Sequence, residues 1–189
     1  MSKMNTEWKR IFRPKALLAA ITSVALILSS TNAKAQDVAV GQATATVQAV
    51  LAVTATSSLV FGTVFQGVPS SIANNNANAG VFTITGQGGA GLSIFMQLPD
   101  YLSTSTGDDR LVVAFSTTDA SVDSTANVDP TTFGVGWQNT NPHNFPSATT
   151  MGGGGQAAIF LGGKVLPTVD QTAGAYSGDI VLTVAYNGT

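Results

Sequence analysis

Apolar and polar residues alternate with a period of two along several stretches of this chain, the spacing that sends successive side chains to opposite faces of a β-strand. The longest stretch runs from Gly41 to Ala55. Its odd positions Ala43, Ala45, Val47, Ala49, Leu51 and Val53 are apolar, and its even positions include Thr44, Thr46, Gln48 and Thr54. A short strand is predicted at Leu59-Val60-Phe61-Gly62, and within 81–85 Phe82 and Ile84 should face away from Thr83 and Thr85. Leu92, Ile94, Met96 and Leu98 alternate with Ser93, Phe95 and Gln97. Residues 111–115 and 157–161 are mostly apolar runs that read as strands buried on both faces. The closing strand is the clearest: Ile180, Leu182, Val184 and Tyr186 stand against Val181, Thr183 and Ala185.

Turn-rich stretches separate these runs: 69–80 with three consecutive asparagines, 86–91, 103–109, 117–130 and 139–155. No stretch carries a sustained 3.6-residue amphipathic pattern, and no internal repeat is evident. Strands of this length and spacing predict an all-β chain folded as a two-sheet sandwich, in one domain spanning 36–189. The glycine-rich segment 86–91 shares only its glycine content with a phosphate-binding loop. Such a loop must open a helix, whereas a strand follows here, so a hairpin connection is expected. Residues Gly152 to Gly155 read as another loop, with no Lys-Ser/Thr behind them.

The leader has a different character. Residues 1–15 are basic and polar, Ala16 to Leu28 is an apolar run, and Ala33-Lys34-Ala35 puts small residues where a signal peptidase reads. The 13-residue run is too short to cross a hydrocarbon core, which takes about 20 helical residues. A signal peptide over 1–35 with cleavage before Gln36 is therefore expected, giving an exported protein with no transmembrane segment in the mature chain. The leader holds six of the eight cations. Residues 36–189 keep only Arg110 and Lys164 against nine aspartates, a formal charge of −7 with no glutamate.

That balance excludes a nucleic-acid partner, which needs clustered Lys and Arg to displace counterions from phosphates. With no cysteine there is no disulfide, thiolate nucleophile or cysteine metal site. A lone histidine, His143, lies in a loop between two prolines without a nucleophile or orienting acid beside it in sequence. Around Ser177 the spacing is wrong for a nucleophile elbow, and a strand follows rather than a helix. Asp108-Asp109 in one loop, and Asp119, Asp123 and Asp129 in another, lack the spacing of calcium-binding loops and read as solvated charge. A non-enzymatic chain with no cofactor is the expectation. For a binding module, the rival reading, ligand contacts would come from the asparagine-rich loop 73–79 or a sugar-stacking platform of Phe133, Trp137 and Phe145.

Residues 36–53 are the most informative. A strand of about fifteen alternating positions, with mainly small apolar side chains on one face, suits filling a groove more than covering one. Such a strand at a free terminus can complete its own sandwich or be lent to a neighbour by β-strand addition. Three segments support the second use through a likeness. Leu59-Val60-Phe61-Gly62 resembles the L-x-F-G element of spore coat protein U-type domains. The segment 174–186, with Gly174, Tyr176 and Asp179 ahead of its alternating apolar run, is similar to their closing strand, and 40–45 to the donor segment of their pilins. Further likeness lies in 82–86, 96–99 and 161–165. The nearest resemblance is to an uncharacterised, cysteine-free relative of these domains in exported bacterial proteins.

This resemblance implies an immunoglobulin-like sandwich made as a fimbrial or cell-surface subunit of the archaic chaperone–usher type. Self-association through strand exchange, a periplasmic chaperone and an outer-membrane usher are the implied partners. The donor would present Gly41, Ala43, Ala45, Val47, Ala49, Leu51 and Val53 to a groove beside the closing strand of Ile180, Leu182, Val184 and Tyr186.

Overall fold

The computed structural model describes residues 41–132, 134 and 137–188. The leader, its cleavage site and Phe133 lie outside these residues. Among the described residues there is no helix, and so none long and apolar enough to cross a membrane. Residues 41–45 carry no regular structure and are exposed. All the strands lie in the compact unit that starts at Thr46.

Eleven strands, all paired antiparallel, make this unit an all-β sandwich. They are β1 (Ala52–Ser57), β2 (Ser70–Ile72), β3 (Gly80–Thr85), β4 (Leu92–Gln97), β5 (Tyr101–Ser103), β6 (Arg110–Ala114), β7 (Ala120–Asp123), β8 (Trp137–Thr140), β9 (Gln156–Leu161), β10 (Gly163–Leu166) and β11 (Val181–Tyr186). The first sheet has the order β1-β3-β9-β7-β8, the second β2-β10-β6-β5, and β11 pairs with β4. β4 runs through Pro99 into β5, and Ser103 exchanges backbone bonds with Ser177 at 2.8 and 2.9 Å. The β4–β11 pair thereby carries on from the β5 edge of the second sheet.

Alternation explains the main core. Phe82 and Ile84 of β3, Ala157, Ile159 and Leu161 of β9, and Ala120 and Val122 of β7 meet Leu92 and Met96 of β4. Leu182, Val184 and Tyr186 of β11 close this core from the other side, as the alternation predicts. β9 is buried on both faces because Phe160 and Ala158, pointing the other way, pack with Val81 under Trp137. The Trp137 ring stacks on Phe160 at 4.8 Å between centroids and 15° between planes.

A strand that changes sheets builds the corner of the sandwich. β9 and β10 are separated by Gly162 alone, so one extended segment begins in the first sheet and ends in the second. Gly162 donates to Asp119 O at 2.7 Å, between β6 and β7, where the neighbouring segment of the chain makes the same crossing. A Cβ on Gly162 would run into the backbone carbonyl of Ile72, so only glycine permits this approach.

Several expectations are corrected. The first strand starts at Ala52, not Gly41, because its sole ladder partner, β3, ends at Thr85 opposite Ala52. Residues 59–62 form no strand: past Ser57 the chain leaves β3, keeping one bond from Val60 N–H to Asn78 O at 2.9 Å. Gly62, at φ 70°, then turns the chain in the left-handed region. Residues 86–91 are no hairpin, since β3 and β4 belong to different sheets. This connection packs backbone to backbone against the other glycine loop, with Gly86 N–H donating to Gly155 O at 2.9 Å and Met151 N–H to Ala90 O at 2.9 Å. β6 is buried on one face only, Leu111 and Val113 pointing in while Val112 is exposed.

Gly162→Ala should lower stability by about 1–3 kcal/mol through this backbone clash. Urea titration of the chain starting at Gln36 reads it as a lower midpoint, and an unchanged midpoint would contradict the crossing at Gly162.

Candidate functional site

The inner face of β6 and β10 has no strand over it. Leu111, Val113 and Val165 are buried there, but their covering groups come from segments without regular structure: Phe61 and Val64 on one side, Tyr176 on the other. Between these walls lies a groove of about 880 Å³, floored by Leu102, Leu111, Val113, Phe115 and Val165. One wall is Ser58–Val64 with Gln66, and the other is Gln171–Gly178 with Ile180.

Both walls carry backbone N–H groups that the protein itself leaves unpaired, most of them on exposed residues. Among the described residues the N–H groups of 61–66 and of 173–176 have no hydrogen-bond partner. Unpaired donors flanking an apolar floor form a template for an added strand, because an incoming backbone satisfies them while its alternate side chains enter the floor. β1 pairs only with β3, and β11 only with β4, so an open edge continues from each wall.

One carboxylate organises the second wall. Asp109, half-buried at the start of β6, accepts the Thr172 N–H at 3.0 Å and the Tyr176 hydroxyl at 2.7 Å through Oδ2, and the Arg110 N–H at 2.8 Å through Oδ1. The Tyr176 oxygen also lies 2.7 Å from Thr172 O, so its single proton is shared between two acceptors. Gln171 is buried, donating to the Tyr176 oxygen at 2.9 Å and to Arg110 O at 3.3 Å, and its own carbonyl accepts from Gln66 Nε2 at 2.5 Å. Hydrogen bonds from Thr172 and then Tyr176 hold the Asp109 carboxyl well below the usual carboxylate range. Burial first, and Asp109 second, raise the Tyr176 hydroxyl above its ordinary value.

Five of the six motif residues meet at this groove: Leu59, Phe61 and Gly62 on the first wall, Gly174 and Tyr176 on the second. Asp179 is exposed and does not line it. Of the expected closing residues, Ile180 lies just before β11, packing on the main core and reaching the end of the groove, while Leu182, Val184 and Tyr186 lie in β11 against the main core. The expected donor residues divide at Leu51. Gly41, Ala43, Ala45, Val47 and Ala49 are exposed outside any strand, Val47 at 91%, whereas Leu51 packs on the main core and Val53 pairs with Ile84. A tether marks the boundary: the Tyr186 hydroxyl donates to Ala49 O at 2.8 Å and accepts Gln87 N–H at 2.7 Å.

The floor residues Leu111, Val113 and Val165, and the Asp109 clasp, were missed by sequence reasoning. The period-2 pattern of Arg110-Leu111-Val112-Val113-Ala114 held the signal for the floor. Nothing in sequence ties Asp109 to a tyrosine 67 positions away.

The residues of the rival reading make contacts of their own. Asn74 Nδ2 lies within 3.0–3.2 Å of Ala120 O, Thr118 O and Asn139 Oδ1, fastening the asparagine-rich loop to β7 and β8. Phe145 is in the main core and Trp137 on the opposite face of the first sheet, so the two share no platform. His143 is exposed, its Nε2 3.2 Å from Phe115 O. Asp123 accepts from Thr125 N–H at 2.8 Å and its hydroxyl at 2.6 Å, and Asp129 likewise from Thr131 at 2.9 and 2.7 Å. These bonds lower Asp129, the Thr131 hydroxyl chief among them. Among the described residues no three His, Cys, Asp or Glu side chains converge as metal ligands.

No protein-family model matches the chain, and no similar protein emerges among curated sequences or solved structures.

The clasp has a definite pH signature. Because the folded-state pKa of Asp109 is depressed, its stabilisation is complete above the ordinary carboxylate pKa of about 4 and fades as pH falls toward the lowered value. Asp109→Asn should therefore unfold more readily than the parent by a constant margin from pH 8 to 5, shrinking only in stronger acid. Thermal melts across pH would contradict this by showing a margin independent of pH down to 2.

Proposed function

We propose that this chain is an exported, non-enzymatic structural subunit of a pilus-like or cell-surface assembly, built by β-strand addition. The observation that carries the reading is the apolar groove whose two walls present unpaired backbone N–H groups. The exposed segment before Leu51 is the strand that one copy lends and a neighbour receives.

Chemistry supports the match between the two. The lent segment alternates Ala43, Ala45, Val47 and Ala49 with polar residues, and the groove floor is aliphatic and aromatic. Main-chain bonds to the walls supply affinity, and small side chains set the register without crowding. A hydrophobic side chain taken fully from water contributes about 1.5–3 kcal/mol for residues the size of valine, so Val47 is the largest single contributor among the exposed positions.

The motif likeness points the same way. Five of the six residues that define the likeness line the groove, while the wider similar segments 82–86, 96–99 and 182–186 contribute to the main core. Tyr176 also bonds the backbone four residues upstream, as a tyrosine corner does in Greek-key sandwiches, which supports an immunoglobulin-like topology. The acidic composition of residues 36–189 fits a building material exported through a signal peptide, with a chaperone covering the groove before assembly.

Deleting 36–46 should abolish assembly while leaving export and the sandwich intact. Electron microscopy and denaturant-resistant ladders on gels read assembly; a truncated chain that still forms fibres of normal stability would overturn the proposal.

A further inference from the structure

The second wall of the groove is a strap, Pro167–Gly178, that spans from the end of β10 to the approach of β11 without entering either sheet. Its attachment is unusual for a wall of a core. At its far end Ser177 exchanges two backbone bonds with Ser103, and at its near end Thr168 O accepts the Gly67 N–H at 2.9 Å, while Gln171 N–H reaches Thr168 O within the strap itself. Between them the strap is held at the start of β6 by the Thr172 N–H and the Tyr176 hydroxyl on Asp109 and by Gln171 on Arg110 O, and it is tied to the first wall by Gln66 Nε2 on Gln171 O. From 173 to 176 it has no backbone bond at all. Val169, at 83% exposed, anchors nothing beneath it beyond the neighbouring turn at Gly67.

We infer that the strap is a gate, latched by Asp109, that opens as a unit to admit a strand to the groove. This rests on the proposed function for the identity of what enters, but the gate itself rests on the attachment. Elements held by few bonds open locally at lower free energy than the whole fold. Here the two central bonds, from Thr172 and Tyr176, meet on one carboxylate and release together, leaving Gln171 on Arg110 O, Gln66 on Gln171 O and the Ser103–Ser177 pair to break after them. The hinge positions are the two ends, Pro167 beside β10 and Gly178 beside Leu102, and Gly174 adds a mid-strap position with open space around it. While latched, Tyr176 lies on the floor group of Leu111, Val113 and Val165 and keeps it from water. A subunit awaiting its neighbour thus protects its own apolar floor, and uptake of a strand exchanges the Tyr176 cover for the incoming side chains.

The test uses the chain from Gln36 onward, with Asp109→Asn and, should that variant fold poorly, Tyr176→Phe, which removes one hydroxyl. Hydrogen exchange reads the latch. Amides of Thr172 and Ser177 should exchange roughly tenfold to a hundredfold faster in either variant, the scale expected for losing a bond to a charged group, with β9 unchanged. Strap and β9 accelerating together, or neither accelerating, would overturn the gate. Stopped-flow uptake of Nile red, a neutral apolar dye, reads groove access and should quicken by a similar factor; unchanged uptake with a faster strap would overturn it too. A labelled peptide of residues 40–53 then separates the two ideas. Faster binding of it in the variants supports both, whereas dye uptake that quickens while no peptide binds leaves the gate standing and sinks strand addition.

Discussion

Leu111, Val113 and Val165 must be kept from water, and the fold supplies no strand to do it. The cause is the crossing at Gly162. Because β9 becomes β10 there, and the chain of β6 and β7 crosses beside it at Asp119, the inner face of the second sheet extends past the end of the first. Two irregular segments lie over the overhang, and between them the groove opens. Its apolar floor, the unpaired wall donors, the clasp on Asp109 and the position of the motif residues all follow from that geometry.

The two ends of the chain meet the consequence differently. The segment before β1 runs beyond the ladder that β3 offers, so its alternation has nothing to pair with and it stays exposed up to Ala49. The segment before β11 is drawn in by Tyr176 and Asp109 and forms a wall. One end thus has a strand pattern without a partner, and the groove has unpaired donors without a strand. Strand exchange between copies, as proposed, would satisfy both, which a solitary binding module would not.

Much of the sandwich was legible in sequence because burial on one face writes itself as alternation. Phe82 against Thr83, Leu92 against Ser93 and Leu182 against Thr183 all face as their pattern says. β7 and β8 were illegible: Ala-Ser-Val-Asp and Trp-Gln-Asn-Thr are short and largely polar, and Ser121 and Asp123 are buried by the cover over the first sheet's outer face rather than by hydrophobicity of their own. The overlong first strand was a true pattern with no local limit, since where pairing stops is decided by β3 and Gly86. The motif residues Leu59, Phe61 and Tyr176 were found as a likeness, yet their meeting at one groove is a tertiary fact that spacing cannot express. Asp109 lay hidden for the same reason.

The absence of native cysteine makes the central claim directly measurable. Val47→Cys, on the exposed segment, and Gly174→Cys, on the groove wall where an added side chain meets only Thr104 Cγ2 at 3.9 Å, are placed in separate preparations and mixed under mild oxidation. A disulfide between unlike chains should form faster than either homodimer and be suppressed when the cysteine-free parent chain is present in excess before oxidation. Cross-linking that appears only when both cysteines sit in one chain, or no faster than random collision, would contradict it.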